Sequence, residues 1–353
     1  MSCEHWAEKL KANINRVLNP KLKLNPKIFN EDCEQAPIRK GFGQGLLAAG
    51  EIDNNVVALC ADLVESTQMN LFAEQFPGRY VEVGVAEQNL VTVASGLAAM
   101  GKIPFCSSYA MFSPGRNWEQ IRTTIAYNDR PVKIVGSHAG ISVGPDGGTH
   151  QALEDIALMR VMPNMDVVSP CDAIEAKKAT LLLAKTGKPA YLRLAREKTP
   201  IITTEETPFS LGKAEIYWLP EIGIPQVGII ATGSLMHRAL SAAKELENPP
   251  AGGEGIKVKV MNLSSIKPID SQAIIALAKE TKRIVTVEEH QVAGGMGGAV
   301  AEVLAEHSPV AMEFVGVKDR FGQSGTPDEL VEHYGMGKDY IKEAVRKVLN
   351  RKI

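Results

Sequence analysis

The sequence predicts an α/β protein of two domains in series, each on a mostly parallel sheet, and three observations carry that prediction. The chain has 353 residues, more than one compact unit usually holds at about 100–200 residues per domain. From Ile38 onward, short β-branched runs alternate with helical stretches, the pattern of a parallel sheet covered on both faces. The alternation breaks once, over KTPIITTEETPFSLGK (198–213), and then resumes.

Taken in order, residues 3–18 set Trp6, Leu10, Ile14 and Val17 at helical spacing, an amphipathic helix. The proline-rich NPKLKLNPKIFNEDCEQAP (19–37) predicts an irregular loop, so residues 1–35 form a helix and arm rather than a domain. In the first domain, 36–200, VVALCA (56–61), IPFCSS (103–108), VKIVGS (132–137) and AYLRLA (190–195) predict strands. QNLVTVASGLAAM (88–100), WEQIRTTIAY (118–127) and AIEAKKATLLLAK (173–185) predict helices, and a further helix is expected to start near Thr149. After a linker at 201–213, the second domain, 214–353, repeats the scheme. Its strands are VGIIAT (227–232), VKVMNL (258–263), RIVTVEE (283–289) and AMEFVGV (311–317). Helices are expected near 235–246, 270–279 and 296–306, and GKDYIKEAVRKVL (337–349) closes the chain as an amphipathic helix.

Composition excludes several functions. Thirty-nine Lys+Arg against forty-one Asp+Glu leave a net charge of −2, with no basic field for a nucleic acid or an anionic membrane. A bound phosphate must therefore be held by local groups. The five cysteines are scattered without a CxxC pair, which argues against a disulfide framework or a zinc site and fits a reducing cytoplasm. No segment approaches the ~18 apolar residues of a membrane span, and the N-terminus lacks the apolar core of a signal peptide.

Three segments can carry chemistry. YVEVGVAEQNLV (80–91) runs from a strand into a helix and places Glu87 in or before its first turn. There it either complements the helix dipole or, crowded by Val83, Val85, Leu90, Val91 and Val93, bonds a partner such as a heterocycle nitrogen. SSYAMFSPGR (107–116) sets Tyr109 and Phe112 three residues apart, as core packing or as a platform for a flat ligand. SHAGISVGPDGGTHQALED (137–155) collects His138, Asp146 and His150 on one glycine-rich connection at the carboxyl end of a strand, where open α/β sheets bind ligands. These groups either hydrogen-bond a polyhydroxylated substrate or belong to a solvated loop whose Thr149 caps a helix. The twelve-residue spacing of the histidines does not suit a metal. The glycine clusters GQGLLAAG (43–50) and AGGMGGAV (293–300) lack the spacing of a dinucleotide loop.

Together CADL (60–63), GVAEQN (84–89), SYAMF (108–112), SHAGISVGPDGGTHQALED, YLRLAR (191–196) and TVEEHQVAGGMGGAV (286–300) resemble the C-terminal half of transketolase over residues 36–350. The resemblance implies two α/β sandwiches, a pyrimidine-binding domain and a transketolase C-terminal domain. It also implies a thiamine diphosphate cofactor whose diphosphate and Mg²⁺ are held by a preceding domain with a GDG motif. That motif is absent here, so the chain resembles the smaller subunit of a split enzyme, expected to work with a separate N-terminal subunit in a cytoplasmic heterotetramer of the pentose phosphate pathway.

Residue by residue, Glu87 matches the family's catalytic glutamate, which bonds the aminopyrimidine. Tyr109 and Phe112 match rings stacked around that pyrimidine, and Asp62 matches an acid near the thiazolium. Asp146 and His150 match groups on substrate hydroxyls, with His150 also moving protons. Arg39, Ser66, His138 and Arg196 match the residues that hold the sugar phosphate. Gly115 and Pro145 depart from the family, which has an aromatic and a glutamate there. His290 is assigned to structure. Self-association is expected through the helix after Glu87, with Ala94, Gly96, Ala98 and Ala99 allowing close approach, the other reading being an ordinary core helix under the sheet. The competing readings are a 1-deoxyxylulose-5-phosphate synthase, a 2-oxo-acid dehydrogenase beta subunit, and a non-catalytic homologue.

Overall fold

A computed structural model of the chain describes residues 17–249 and 254–351. The helix predicted over 3–18 lies outside the described residues except for its end, where Val17 and Leu18 are buried and Leu18 bridges Trp218. The first half of the chain forms β1 (Gln35–Pro37), α1 (Ile38–Ile52), β2 (Val56–Cys60), α2 (Asn70–Gln75), β3 (Tyr80–Glu82), α3 (Glu87–Ala99) and β4 (Ile103–Tyr109). There follow α4 (Trp118–Gln120), β5 (Lys133–Ser137), α5 (Asp155–Arg160), β6 (Asp166–Val168), α6 (Ala173–Leu183), β7 (Ala190–Arg193) and β8 (Lys198–Pro200). The second half forms β9 (Glu215–Trp218), β10 (Val227–Ala231), α7 (Met236–Glu247), β11 (Val258–Asn262), β12 (Ser265–Lys267), α8 (Ser271–Thr281) and β13 (Arg283–Gln291). It ends with α9 (Met296–His307), β14 (Ala311–Val317), α10 (Pro327–His333) and α11 (Lys338–Leu349).

These elements make the two mostly parallel sheets the alternation predicts. The larger has the order β12-β6-β7-β5-β4-β2-β3, with β12 its one antiparallel member, and the smaller has the order β14-β13-β10-β11-β9, with β9 antiparallel. β2, β5, β7 and β10 are buried along their whole length; β2 and β10 therefore read as unbroken apolar runs, while β5 buries Lys133 and Ser137 at its ends and β7 buries Arg193. Because the six strands from β6 to β3 in the larger sheet are parallel, their carboxyl ends share one edge. The chain turns outward to β3 from β2 and the other way to β5 from β4, so the reversal point, where such sheets open a crevice, lies between β2 and β4.

Several expectations are corrected. No helix starts at Thr149; its hydroxyl meets His150 Nδ1 at 3.0 Å, and the helix begins at Asp155. Lys198–Pro200, expected to be irregular, pairs antiparallel with Gln35–Pro37. The helix expected over 118–127 is one α-turn that continues as a π-helix, Ile121–Ala126. Ser265–Lys267, from the second half of the chain, completes the edge of the first sheet beside β6. Ala94 and Ala98 face the protein's own core. The glycines of GQGLLAAG have a packing reason. A Cβ on Gly45 would stand 2.8 Å from that of Thr180 on α6, so α1 and α6 pack at a distance only glycine permits.

One apolar core spans both sheets, joining Ile134, Ile156 and Met159 to Ile230, Met261 and Met296. His290, at the end of β13, is fully buried, with Nδ1 against the Gln291 carbonyl at 2.7 Å. Burial pushes its pKa down to about 4.

Candidate active site

The predicted site residues follow the carboxyl ends of neighbouring parallel strands: Asp62 and Ser66 after β2, Glu87 after β3, Tyr109 and Phe112 at β4, His138 after β5 and Arg196 after β7. Arg39 joins them from the first turn of α1.

Glu87 opens α3 and is 3% exposed. Its Oε2 accepts a 2.7 Å bond from Arg116 Nη1, and Asn117 Nδ2 donates to its main-chain carbonyl at 2.9 Å. The expected apolar crowding is only partly met, because Leu90 and Val91 are buried but Val85 is 71% exposed; the acid is buried all the same and needs a partner. The structure supplies Arg116, which sequence reasoning missed although it closes the segment that contains the aromatic pair. Among the described residues no hydrogen bond reaches Glu87 Oε1, so one oxygen of this buried carboxylate is left for a further donor.

The aromatic pair belongs to a larger cluster. The Tyr109 and Phe112 rings lie nearly parallel, with centroids 6.5 Å apart. His138 stacks on Tyr109 at 3.9 Å, while His150 meets Phe112 edge-on at 5.3 Å. Arg116 lies over Phe112 at 5.0 Å from the ring centre, so the cation that holds Glu87 also touches the platform.

The anion-binding candidates meet on the neighbouring side. Arg39 donates to the Arg196 carbonyl, and its Nε is buried without a partner among the described residues. Burial and the Arg196 charge both lower its pKa. Burial first, then Arg39 and Arg196, push His138 down to about 3, so the imidazole is neutral and offers a hydrogen bond rather than a charge. Its Nδ1 is engaged with Ser137 Oγ at 2.8 Å, leaving Nε2 for a ligand. Arg196 reaches the Val143 carbonyl at 2.5 Å and Asp146 at 3.6 Å. A buried guanidinium N–H without a partner among the described residues, beside a second arginine, is chemically able to donate a hydrogen bond to an anion's oxygen.

Asp62 and Ser66 are placed less tightly. Asp62 takes φ +59° and donates its N–H to Glu82 Oε1 at 2.8 Å. The same oxygen accepts the Gly84 N–H at 2.8 Å, so Glu82, also missed in the sequence, ties the loop after β2 to the turn before Glu87. Ser66 is half-buried, and no hydrogen bond joins it to either arginine. Among the described residues no group of three His, Cys, Asp or Glu side chains is arranged to hold a metal, and no helix is long and apolar enough to cross a membrane.

Comparisons with known proteins give the family and the fold. Residues 34–201 match the transketolase pyrimidine-binding domain and residues 221–341 the transketolase C-terminal domain. The chain is 40% identical, over 92% of its length and 98% of the relative's, to the 6-deoxy-6-sulfo-D-fructose transketolase subunit SqwH of Clostridium sp. (strain MSTE9). It is 34% identical to human transketolase over 96% of its length but 52% of that protein's. Among solved structures it is similar to a split gene transketolase described as an inactive beta4 tetramer. That match has TM-score 0.81 and 41% identity, over 90% of this chain and 99% of the other.

Proposed function

The chain belongs to the transketolase family, and from that premise we propose that it is the smaller subunit of a split transketolase, moving a two-carbon ketol unit reversibly from a ketose phosphate to an aldose phosphate. A separate N-terminal subunit completes the site and holds the diphosphate and Mg²⁺ of the cofactor. Bound thiamine diphosphate supplies the nucleophilic carbon that accepts and releases the ketol unit. The observation that carries the reading is Glu87: a buried carboxylate with Arg116 on one oxygen, the other oxygen open, and Tyr109 and Phe112 beside it.

In this reading Glu87 holds the proton shared with the ring nitrogen of the aminopyrimidine through its open oxygen. Arg116 keeps the carboxylate oriented, and Tyr109 and Phe112 bind the ring between apolar faces. Asp62 would serve the thiazolium part of the cofactor when it is bound. Arg39, Arg196, Ser66 and the neutral His138 bind the sugar phosphate, the arginines by charge-assisted bonds. Asp146 and His150 orient substrate hydroxyls, and His150 moves a proton at the substrate oxygen. Two copies of the chain associate through the pyrimidine-binding domain in a two-fold heterotetramer.

The test uses the purified chain with and without a candidate partner carrying the GDG motif, both supplied with thiamine diphosphate and Mg²⁺. The chain alone is expected to show no ketol transfer and the mixture to show it. In the mixture, Glu87→Gln is expected to retain assembly and cofactor binding while slowing deuterium exchange at the cofactor's C2 by about a hundredfold or more. Turnover by the isolated chain refutes the split-subunit reading, and unchanged exchange refutes the role of Glu87.

A further inference from the structure

The loop that carries Asp146 and His150 is seated on the second domain. The Ser142 N–H donates to Glu289 Oε1 on β13 at 2.6 Å, and Ser234 Oγ donates to the other oxygen of the same buried carboxylate. Gln151, 3% exposed, donates through Nε2 to the Ile141 carbonyl at 3.1 Å and to the Gln323 carbonyl, across the domain boundary, at 2.9 Å. The two segments lie too close for a side chain on either glycine of the loop, against a hydroxyl at Gly147 and against backbone at Gly148. A Cβ on Gly147 would stand 2.7 Å from Ser324 Oγ, and one on Gly148 would stand 2.7 Å from the Gly322 carbonyl oxygen. The same loop fixes Arg196 through the Val143 carbonyl.

We propose that Glu289 and Gln151 are positioning residues, through which the second domain sets the geometry of the loop that presents Asp146, His150 and Arg196 to the substrate. The proposal rests on the reading of those three as substrate-binding groups. It gives the second domain a part in sugar recognition without placing any of its side chains on the sugar. A plain domain contact would join core to core. Here main-chain groups just before Asp146 are met by buried side chains, the Ser142 N–H by Glu289 and the Ile141 and Gly144 carbonyls by Gln151. Glu289 and Ser142 also border an interdomain cleft of about 580 Å³, so water reaches the Ser142 amide once its acceptor is removed.

The experiment is amide hydrogen exchange on the full chain, followed by kinetics of the complex with its partner. Glu289→Ala is expected to speed exchange over residues 140–151 by about tenfold or more. Glu289→Gln, which keeps one acceptor oxygen and the side-chain volume, should do so less, and it serves where the alanine variant fails to fold. Glu288→Gln is the control. That carboxyl lies on the same strand but accepts the Met296 and Gly297 N–H groups at 2.6 and 2.8 Å at the start of α9, so its loss should leave the loop at the wild-type rate. In the complex, Glu289→Ala should raise KM for a phosphorylated ketose about tenfold, more than it lowers kcat. Unchanged loop exchange in both Glu289 variants overturns the proposal, as does an equal rise in Glu288→Gln. The exchange measurement needs no partner, so an inactive complex counts against the functional reading and not against this one.

Discussion

His138 enters the site as a neutral ring, and the cause is local. It is 3% exposed, stacked on Tyr109, and faces the charges of Arg39 and Arg196, which together bring its pKa from 6.5 to about 3. A folded-state value below the unfolded one means that its contribution to stability is complete above about pH 6.5 and is lost as pH falls toward 3. In an NMR titration of the chain, the His138 ring is expected to remain neutral down to about pH 5, and Arg39→Ala should move its midpoint upward. A wild-type midpoint between about 6 and 7 would contradict this. Little of this was legible in the sequence, because the stacking depends on β4 and β5 being neighbours in register, Tyr109 opposite Ser137, a pairing of residues 28 positions apart. Glu87 is the opposite case: its apolar neighbours announced the need for a partner, but Arg116 reaches it only because the chain folds back after β4.

At the scale of elements, identity was legible where an apolar run was long, as in β2, β10 and α3, or where apolar residues recur at helical spacing, as in α11. What a helix face meets was not. α3 turns Leu90, Val91, Ala94 and Ala98 inward and leaves Gln88, Asn89, Gly96, Ala99 and Met100 exposed, an uncharged stripe at helical spacing. A Cβ on Gly96 would meet no atom within 4 Å, so this face is free to receive a second copy. Of the four small residues singled out in the sequence, only Gly96 and Ala99 therefore belong to a surface. Ala99→Arg is expected to leave the fold intact and weaken self-association by about tenfold or more, read by analytical ultracentrifugation. Ala98→Arg, which puts a charge in the core, should instead unfold the chain. Undiminished association in a folded Ala99→Arg variant would remove α3 from the interface.

The whole molecule is more tightly joined than two domains in series imply. β12 completes the first sheet from the second half of the chain, and its three residues were too short a run to show in the sequence. Polar groups reinforce the junction. Asn262 Nδ2 donates to Glu175 Oε1 at 2.8 Å and to Tyr217 Oη at 2.9 Å, all of them buried. On the site side, Arg193 Nε donates to Asp155 Oδ2 at 2.7 Å and its Nη2 to the Glu289 carbonyl at 2.8 Å. Burial is the largest single influence and pushes the Asp155 carboxyl up, but the Arg193 charge, the nearby His290 and the hydrogen bonds from Arg193 and Tyr191 together outweigh it and hold the group below its ordinary value. Removing one charge from such a pair leaves the other buried and uncompensated, so Asp155→Asn should cost about 3–5 kcal/mol in urea unfolding. Because Arg193 also touches the second domain's backbone, the loss should be felt in both halves. Trp118 and Trp218 stand one in each half and report on them separately in single-tryptophan variants. Their unfolding curves are expected to coincide in the otherwise unaltered chain and to shift together in Asp155→Asn. Two separated transitions, with only Trp118 moved by the substitution, would show that the junction does not couple the halves.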